Sequence, residues 1–384
     1  MEVLEFLTPN STDFQKSIEE LTSFQLGNSV DFVSDVEVID SYEIAIVCVR
    51  ETRGANNGQI DFDVESIKYE FYKLYKGNWD TSILDLGHIF PGENITDTYY
   101  VIQKLVNYLL KAKIIPVILG GSQDLSYCQY RAYDAVKYMV NMTNIDFKFD
   151  LGDSNQPLDS ESFLSHMIVE KPYNLFNYCN IGFQTYLNTQ EEIRLLGKMF
   201  FEAYRLGEIT SDIKTAEPIL RDSDLVTVDV RAIENRSIGE DISQVNGFNN
   251  REICALARYS GLSDKVSSFG IYELQHLQSN QSKKLIAQML WYFVEGMHYR
   301  LNEQAHVKNV NFIKYKVPVE DEVLVFYESN LSGRWWIEIP SNSQTGNNKL
   351  EQHTLLPCDK ENYLSACDQE IPERWFKAKQ KNEF

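Results

Sequence analysis

The chain has 384 residues, with 36 Lys and Arg against 56 Asp and Glu, a formal net charge of −20, and 43% hydrophobic residues. That length and apolar content suffice for one large α/β domain with an appendage, or for two modest domains. A surface of this sign repels phosphate backbones and anionic lipid, so nucleic acid and membrane surfaces are excluded as natural partners.

The first residues, Met1-Glu2-Val3-Leu4-Glu5, carry acids and no basic segment ahead of an apolar one, which argues against a secretory signal. The apolar stretch at 285–297 is broken by Gln288 and Glu295 and is too short to span a bilayer. Cys48, Cys128, Cys179, Cys254, Cys358 and Cys367 show no Cys-x-x-Cys spacing, as expected for free thiols of a cytoplasmic protein.

Along the chain, Ile44-Ala45-Ile46-Val47-Cys48-Val49 reads as a strand buried on both faces of a parallel sheet. A helix follows through Val64, Ile67, Phe71 and Leu74, then a short strand at 83–87. Residues 96–112 form an amphipathic pattern with Tyr100, Leu105, Tyr108 and Leu109 as core positions. The alternation continues with strands at 114–119, 143–150, 179–183, 224–230 and 266–271. Helices are expected from about 125 and at 189–206, 250–259 and 282–298. Repeated β-then-α units imply a central parallel sheet with helices on both faces, and such folds bind ligands beyond the carboxyl ends of their strands. After about residue 306 the texture changes to short antiparallel strands at 312–317, 322–327 and 334–339. A Ser/Asn/Gln/Gly-rich linker at 341–348 and a charged tail then follow. The domain reading is an N-terminal extension (1–40), an α/β domain (41–305) and a small β-rich C-terminal extension (306–384).

Three strand ends carry the chemistry: Gly120-Gly121-Ser122-Gln123-Asp124, Asp146-Phe147-Lys148-Phe149-Asp150, and Asp229-Val230-Arg231-Ala232-Ile233-Glu234. Strand alternation puts Asp146, Lys148 and Asp150 on one face, and Asp229 with Arg231 on one face. Alone, Asp-x-Lys-x-Asp is usually a solvated edge strand and Gly-Gly-Ser a plain turn. In order and spacing, however, the three resemble the metal-binding signatures of the arginase/agmatinase/formimidoylglutamase (ureohydrolase) family: Gly-Gly-x-His, Asp-x-His-x-Asp and Ser-x-Asp-x-Asp-x-x-Asp-Pro. The resemblance covers roughly residues 42–300. It extends to Asn246-Gly247-Phe248 before Arg251-Glu252, and to Phe269-Gly270-Ile271-Tyr272-Glu273. It implies a three-layer αβα arginase-like fold.

Residue by residue, the resemblance also implies a degraded metal site. The first ligand histidine becomes Gln123, the second Lys148, one aspartate Arg231, and the aspartate before proline Glu234-Asn235; only Asp146, Asp150 and Asp229 persist. Glu273 matches the glutamate that holds a substrate guanidinium, and His166 stands near the place of a proton-shuttling histidine. His276 and His298, like His166 read alone, are ordinary surface or core histidines. In the family, four carboxylates and two imidazoles hold two divalent ions that activate hydroxide. Here three Asp, one Lys, one Arg and one Gln sum to −1 without metal. A protonated Lys or Arg cannot ligate a divalent ion and repels one at short range. The expectation is therefore a site with no metal and no cofactor, in which Lys148 and Arg231 form buried ion pairs with the three aspartates.

Function then follows one of three lines. The first is a catalytically inactive pseudoenzyme serving as a binding or scaffold protein, with a protein partner on the C-terminal extension. There Trp335, Trp336 and Trp375 would be exposed anchors or simply core cover. The second is a manganese-dependent hydrolase of guanidino or formimino C–N bonds. The third is a metal-free binder of a small ligand, in which Lys148 and Arg231 grip an anion or Glu273 a cation. Homo-oligomerisation is implied by the resemblance alone.

Overall fold

The structure, a computed structural model, describes residues 2–33, 39, 41–55, 57–137, 139–241, 243–303, 311–340 and 355–383. Nine strands build the main sheet: β1 (Val30–Phe32), β2 (Ile44–Val49), β3 (Ile83–Ile89), β4 (Ile115–Gly120), β5 (Val140–Ile145), β6 (Leu175–Phe183), β7 (Glu202–Arg205), β8 (Leu225–Asp229) and β9 (Ser268–Tyr272). Their order is β1-β3-β2-β4-β9-β8-β5-β6-β7, and every neighbouring pair is parallel. The first forty residues contribute β1, the edge strand beside β3.

The continuous apolar run of β2 explains the layering. Ile44, Ile46 and Cys48 enter one core, while Ala45, Val47 and Val49 enter the other. Helices Val64–Tyr72, Asn250–Leu262 and Asn280–His298 cover the first face; Ile95–Lys111, Leu125–Arg131 and Phe163–Val169 cover the second. A strand hydrophobic on both sides needs this three-layer arrangement.

Several local expectations are corrected. The strand expected at 143–150 ends at Ile145, so Phe147 and Phe149 lie in the loop beyond it. The helix expected at 189–206 stops at Lys198, because Phe200 turns left-handed (φ 56°) and the chain re-enters the sheet as β7. That edge strand is fixed from far away: Glu202 is buried and meets Arg374, 172 positions on. Tyr100 is 57% exposed, and the buried stripe of its helix runs through Val101, Ile102, Leu105, Val106 and Leu109.

The C-terminal sheet is antiparallel, β10 (Phe312–Val319), β11 (Glu322–Ser329), β12 (Trp335–Glu338) and β13 (Leu355–Cys358), in that order. The expected linker at 341–348 lies outside the described residues. The charged tail forms helices Lys360–Cys367 and Glu373–Glu383, the first with an Asp359 cap. Trp335, Trp336 and Trp375 are buried and are not the exposed anchors considered for a partner. Five of the six cysteines are buried, Cys367 is exposed, and none is paired. No helix among the described residues is long and apolar enough to cross a membrane.

This small unit sits against the amino ends of β7, β8 and β9. The Arg221 guanidinium donates to the carbonyls of Trp335 (3.2 Å) and Cys358 (3.0 Å) and lies over the Trp336 ring at 4.4 Å. Arg334 donates to Leu262 O (3.3 Å), and Arg374 Nε to Glu202 Oε2 (2.7 Å). Burial opposes ionisation of Glu202, yet Arg374 and Lys381 outweigh it and hold the carboxyl below its ordinary value of 4.5. A depressed carboxylate contributes its full stability above that value and loses it as pH falls through the folded one. Glu202→Gln therefore lowers stability at pH 7 by about 3 kcal/mol, the cost of breaking a buried pair. In thermal unfolding followed from pH 7 to pH 3, the gap between variant and wild type narrows toward acid; a gap independent of pH contradicts the assignment.

Candidate functional site

The candidate site lies at the carboxyl ends of β4, β5, β8 and β9, the end of the sheet opposite the C-terminal unit. After β4 the backbone must turn against the loop following β2. A Cβ on Gly121 would stand 1.9 Å from Glu51 O, so only glycine fits there. The turn delivers Gln123, fully buried, whose N–H donates to Glu273 Oε1 (2.9 Å) and Ser160 Oγ (3.1 Å). Its Nε2 donates to Asn144 Oδ1 (3.1 Å), which also accepts from Thr227 Oγ1 (2.7 Å); Asn144 Nδ2 donates to Asp146 Oδ2 (2.9 Å). A chain of neutral amides thus runs where the resemblance implies a ligand histidine.

Asp146 and Asp150 are buried close together, and burial favours the protonated form of both. Asp150 takes a left-handed backbone (φ 54°), which turns its side chain back toward Asp146. Lys148 departs from expectation. Because β5 has already ended, strand alternation no longer holds. Its backbone N–H donates to Asp146 Oδ1 (3.1 Å), while its ammonium turns outward, 36% exposed, to Glu161 at 3.3 Å. The expected ion pairs between Lys148 and the aspartates are therefore absent.

Arg231 does enter the pocket. The chain leaves β8 in the 3-10 turn Val230–Ala232, and Asp229 Oδ1 accepts the Arg231 N–H at 2.7 Å. The guanidinium then folds back on the same carboxylate, with Nε at 3.0–3.1 Å and Nη2 at 2.7 Å, and reaches Glu273 Oε1 at 3.5 Å. It lies over the Phe147 ring, 5.7 Å from the centroid. Glu273, also fully buried and left-handed (φ 65°), is anchored by its N–H to Gly121 O (2.6 Å). Its Oε2 meets Gln275 Nε2 (2.7 Å) and His276 Nε2 (3.2 Å).

Four buried carboxyl groups thus share one guanidinium and cannot all ionise freely. Burial, then mutual repulsion, pushes Asp146 and Asp150 above the carboxylate range, against the pull of Arg231; burial also raises Asp229. For Glu273 burial works the same way, but Arg231, His276 and the Gln123 N–H outweigh it and keep it ionised. His166 is buried on helix Phe163–Val169 with Nδ1 2.7 Å from Glu170, one turn on; no described hydrogen bond joins it to the aspartates. His298 is exposed, whereas His276 belongs to the site through Glu273. Asn144, Thr227, Ser160 and His276 were missed in sequence. Only two had a signal: Asn144 lies two positions before Asp146, and His276 three after Glu273.

A pair of divalent ions does not fit these residues. Gln123 presents an amide committed to Asn144, Lys148 turns away, and Arg231 fills the face of Asp229 that a metal would need. Among the described residues no three His, Cys, Asp or Glu side chains are grouped to hold a metal. Against this, Gln123 Oε1 and Asp150 Oδ2 are buried acceptors without a hydrogen-bonding partner, a feature that a cation would satisfy. The geometry predicts unequal variants. Arg231→Met leaves Asp229 buried and unpaired and costs about 3–5 kcal/mol, whereas Lys148→Ala changes stability by no more than about 0.5 kcal/mol. Urea unfolding midpoints check this, and equal losses contradict it.

The family model described as Arginase family matches residues 44–294. Among solved structures, the fold is similar to Trypanosoma cruzi formiminoglutamase with Mn2+2, at 16% identity over 69% of this chain and 97% of that one, TM-score 0.61. It is similar also to formimidoylglutamase from Bacillus subtilis, at 16% identity over 73% and 94%, TM-score 0.65. A third is the agmatine ureohydrolase of Thermoplasma volcanium, at 14% identity over 74% and 98%, TM-score 0.56. At these identities the likeness to the structures shows the fold alone. No curated protein matches. With the family model spanning well over half of its length, the chain belongs to the arginase family.

Proposed function

We propose that this arginase-family protein is metal-free and catalytically inactive, and acts as a binding or scaffold protein in the cytoplasm. The observation that carries the reading is the Arg231 guanidinium seated on Asp229 and Glu273. In a working two-metal hydrolase those carboxylates would hold a metal ion and the substrate. Here a covalently attached cation occupies both, and Gln123 offers no imidazole. Hydroxide activation at neutral pH needs a metal or a strong base beside the water, and burial raises the carboxyls of Asp146 and Asp150 above the carboxylate range. The C-terminal unit, remote from the pocket, offers a surface the catalytic fold does not need, and we assign partner binding to it. The competing reading, a manganese-dependent hydrolase of guanidino or formimino compounds, is favoured by the three persisting aspartates and the two unpartnered acceptors.

The test pairs wild type with a reversion variant. Wild type incubated with manganese is expected to release neither urea nor formamide from guanidino and formimino compounds. The triple variant Gln123→His, Lys148→His and Arg231→Asp is expected to gain manganese affinity. Turnover by wild type that Asp229→Asn abolishes would overturn the proposal. A folded triple variant that still takes no metal shows that the surrounding backbone has diverged as well.

A further inference from the structure

A cavity of about 540 Å³ opens at the amino ends of β2, β3 and β4, the end of the sheet opposite the candidate site. Glu43, Asp80 and Lys113 stand just ahead of those three strands, and Ile115 opens β4. Met297 and Arg300 come from the end of helix Asn280–His298 and the turn after it. The volume is that of a small-molecule site.

The acids around this cavity are already committed. Glu43 accepts the Ser82 N–H at 3.1 Å, and the exposed Asp80 meets Lys76 at 3.5 Å. Asp264, whose charge also reaches Arg300, accepts the N–H groups of Asn302 and Glu303 at 3.1 and 3.0 Å. The cations are not committed in the same way. Arg300 donates Nε to Gly261 O (2.8 Å) and Nη2 to Val266 O (2.9 Å), carbonyls that carry only partial charge. Among the described residues neither Arg300 nor Lys113 has a carboxylate in ion-pair contact. Burial draws the Arg300 guanidinium down to about 10, and Asp264 and Glu43 oppose this only in part. Lys113 holds a left-handed backbone (φ 61°), where glycine or asparagine would be less strained. On a chain of net charge −20, two bases left without acids around one cavity call for an anion.

We propose that this cavity binds a small phosphorylated molecule, with Arg300 and Lys113 gripping the phosphoryl group and Ile115 and Met297 lining the space for the organic part. The Nε–Nη2 edge of Arg300 is taken by two carbonyls, so the side-on, two-point fit to a planar carboxylate is not on offer. The remaining Nη1 and a separate ammonium suit a tetrahedral oxyanion, whose oxygens accept from several directions. The site is at the other end of the sheet from Asp229 and Arg231, and it goes beyond the function proposed above.

The experiment is calorimetric titration of the full chain with inorganic phosphate, glycerol phosphate and acetate at constant ionic strength. The expected result is saturable binding of one molecule of either phosphate per chain, with acetate weaker by about tenfold or more. Lys113→Asn removes the ammonium and suits the left-handed backbone, and it weakens both phosphates by about tenfold or more. Arg300→Gln has the same effect where circular dichroism shows it folded; if it does not fold, Lys113→Asn decides alone. Lys148→Ala, at the opposite end of the sheet, leaves binding unchanged. No saturable binding, equal affinity for acetate, exclusion of glycerol phosphate, or full affinity in Lys113→Asn overturns the proposal. Loss of binding in Lys148→Ala also overturns it, since the anion would then sit at the candidate site. None of these outcomes bears on the metal-free reading, which stands or falls on manganese.

Discussion

The ion pair between Asp229 and Arg231 is the contact on which the rest of the site depends. Strand ends of a parallel sheet bring acidic side chains together, and here Asp146, Asp150, Asp229 and Glu273 meet in a space largely shut off from water. Carboxylates so placed need positive charge, and a fold can supply it as metal, as a side chain or as protons. In this chain Arg231 supplies one unit to Asp229 and Glu273, and burial favours the protonated forms of Asp146 and Asp150. Metal binding would have to displace the arginine, which is why a pocket rich in acids is not thereby a metal site.

The two ends of the sheet have separate jobs. At the carboxyl ends, Gly121 and the left-handed Asp150 and Glu273 turn the chain sharply enough to point polar groups inward. At the amino ends, Arg221, Arg334 and Arg374 join the C-terminal sheet to the main one through backbone carbonyls and buried acids. A change at that interface acts on the pocket only through the strands between them.

Much of this was legible in the sequence. Continuous apolar runs such as Ile44–Val49 admit little except a strand buried on both faces, and they fixed the class of fold. The three signatures fall at strand ends, and the fold gathers them at one end of the sheet as the candidate site. What failed was side-chain direction. Lys148 was placed beside Asp146 and Asp150 by extending strand alternation past Ile145, where the strand has stopped. Arg231 was placed correctly for a different reason from the one given: a turn, not alternation, folds it back on Asp229. The helix assumed at 189–206 failed because Glu202 is fixed by Arg374, and no local pattern reports a partner so distant. The tryptophans of the C-terminal region show the same limit, since composition cannot tell a buried anchor from an exposed one.

The central claim is that a guanidinium, not a metal, holds the acids at the strand ends. It is tested most directly by a crystal structure of wild type grown with manganese in excess, with data collected to reveal anomalous scatterers. The account predicts Arg231 on Asp229 and Glu273, as here, and no anomalous peak among Asp146, Asp150 and Asp229. A manganese peak among those aspartates, with Arg231 swung out of the pocket, would contradict it.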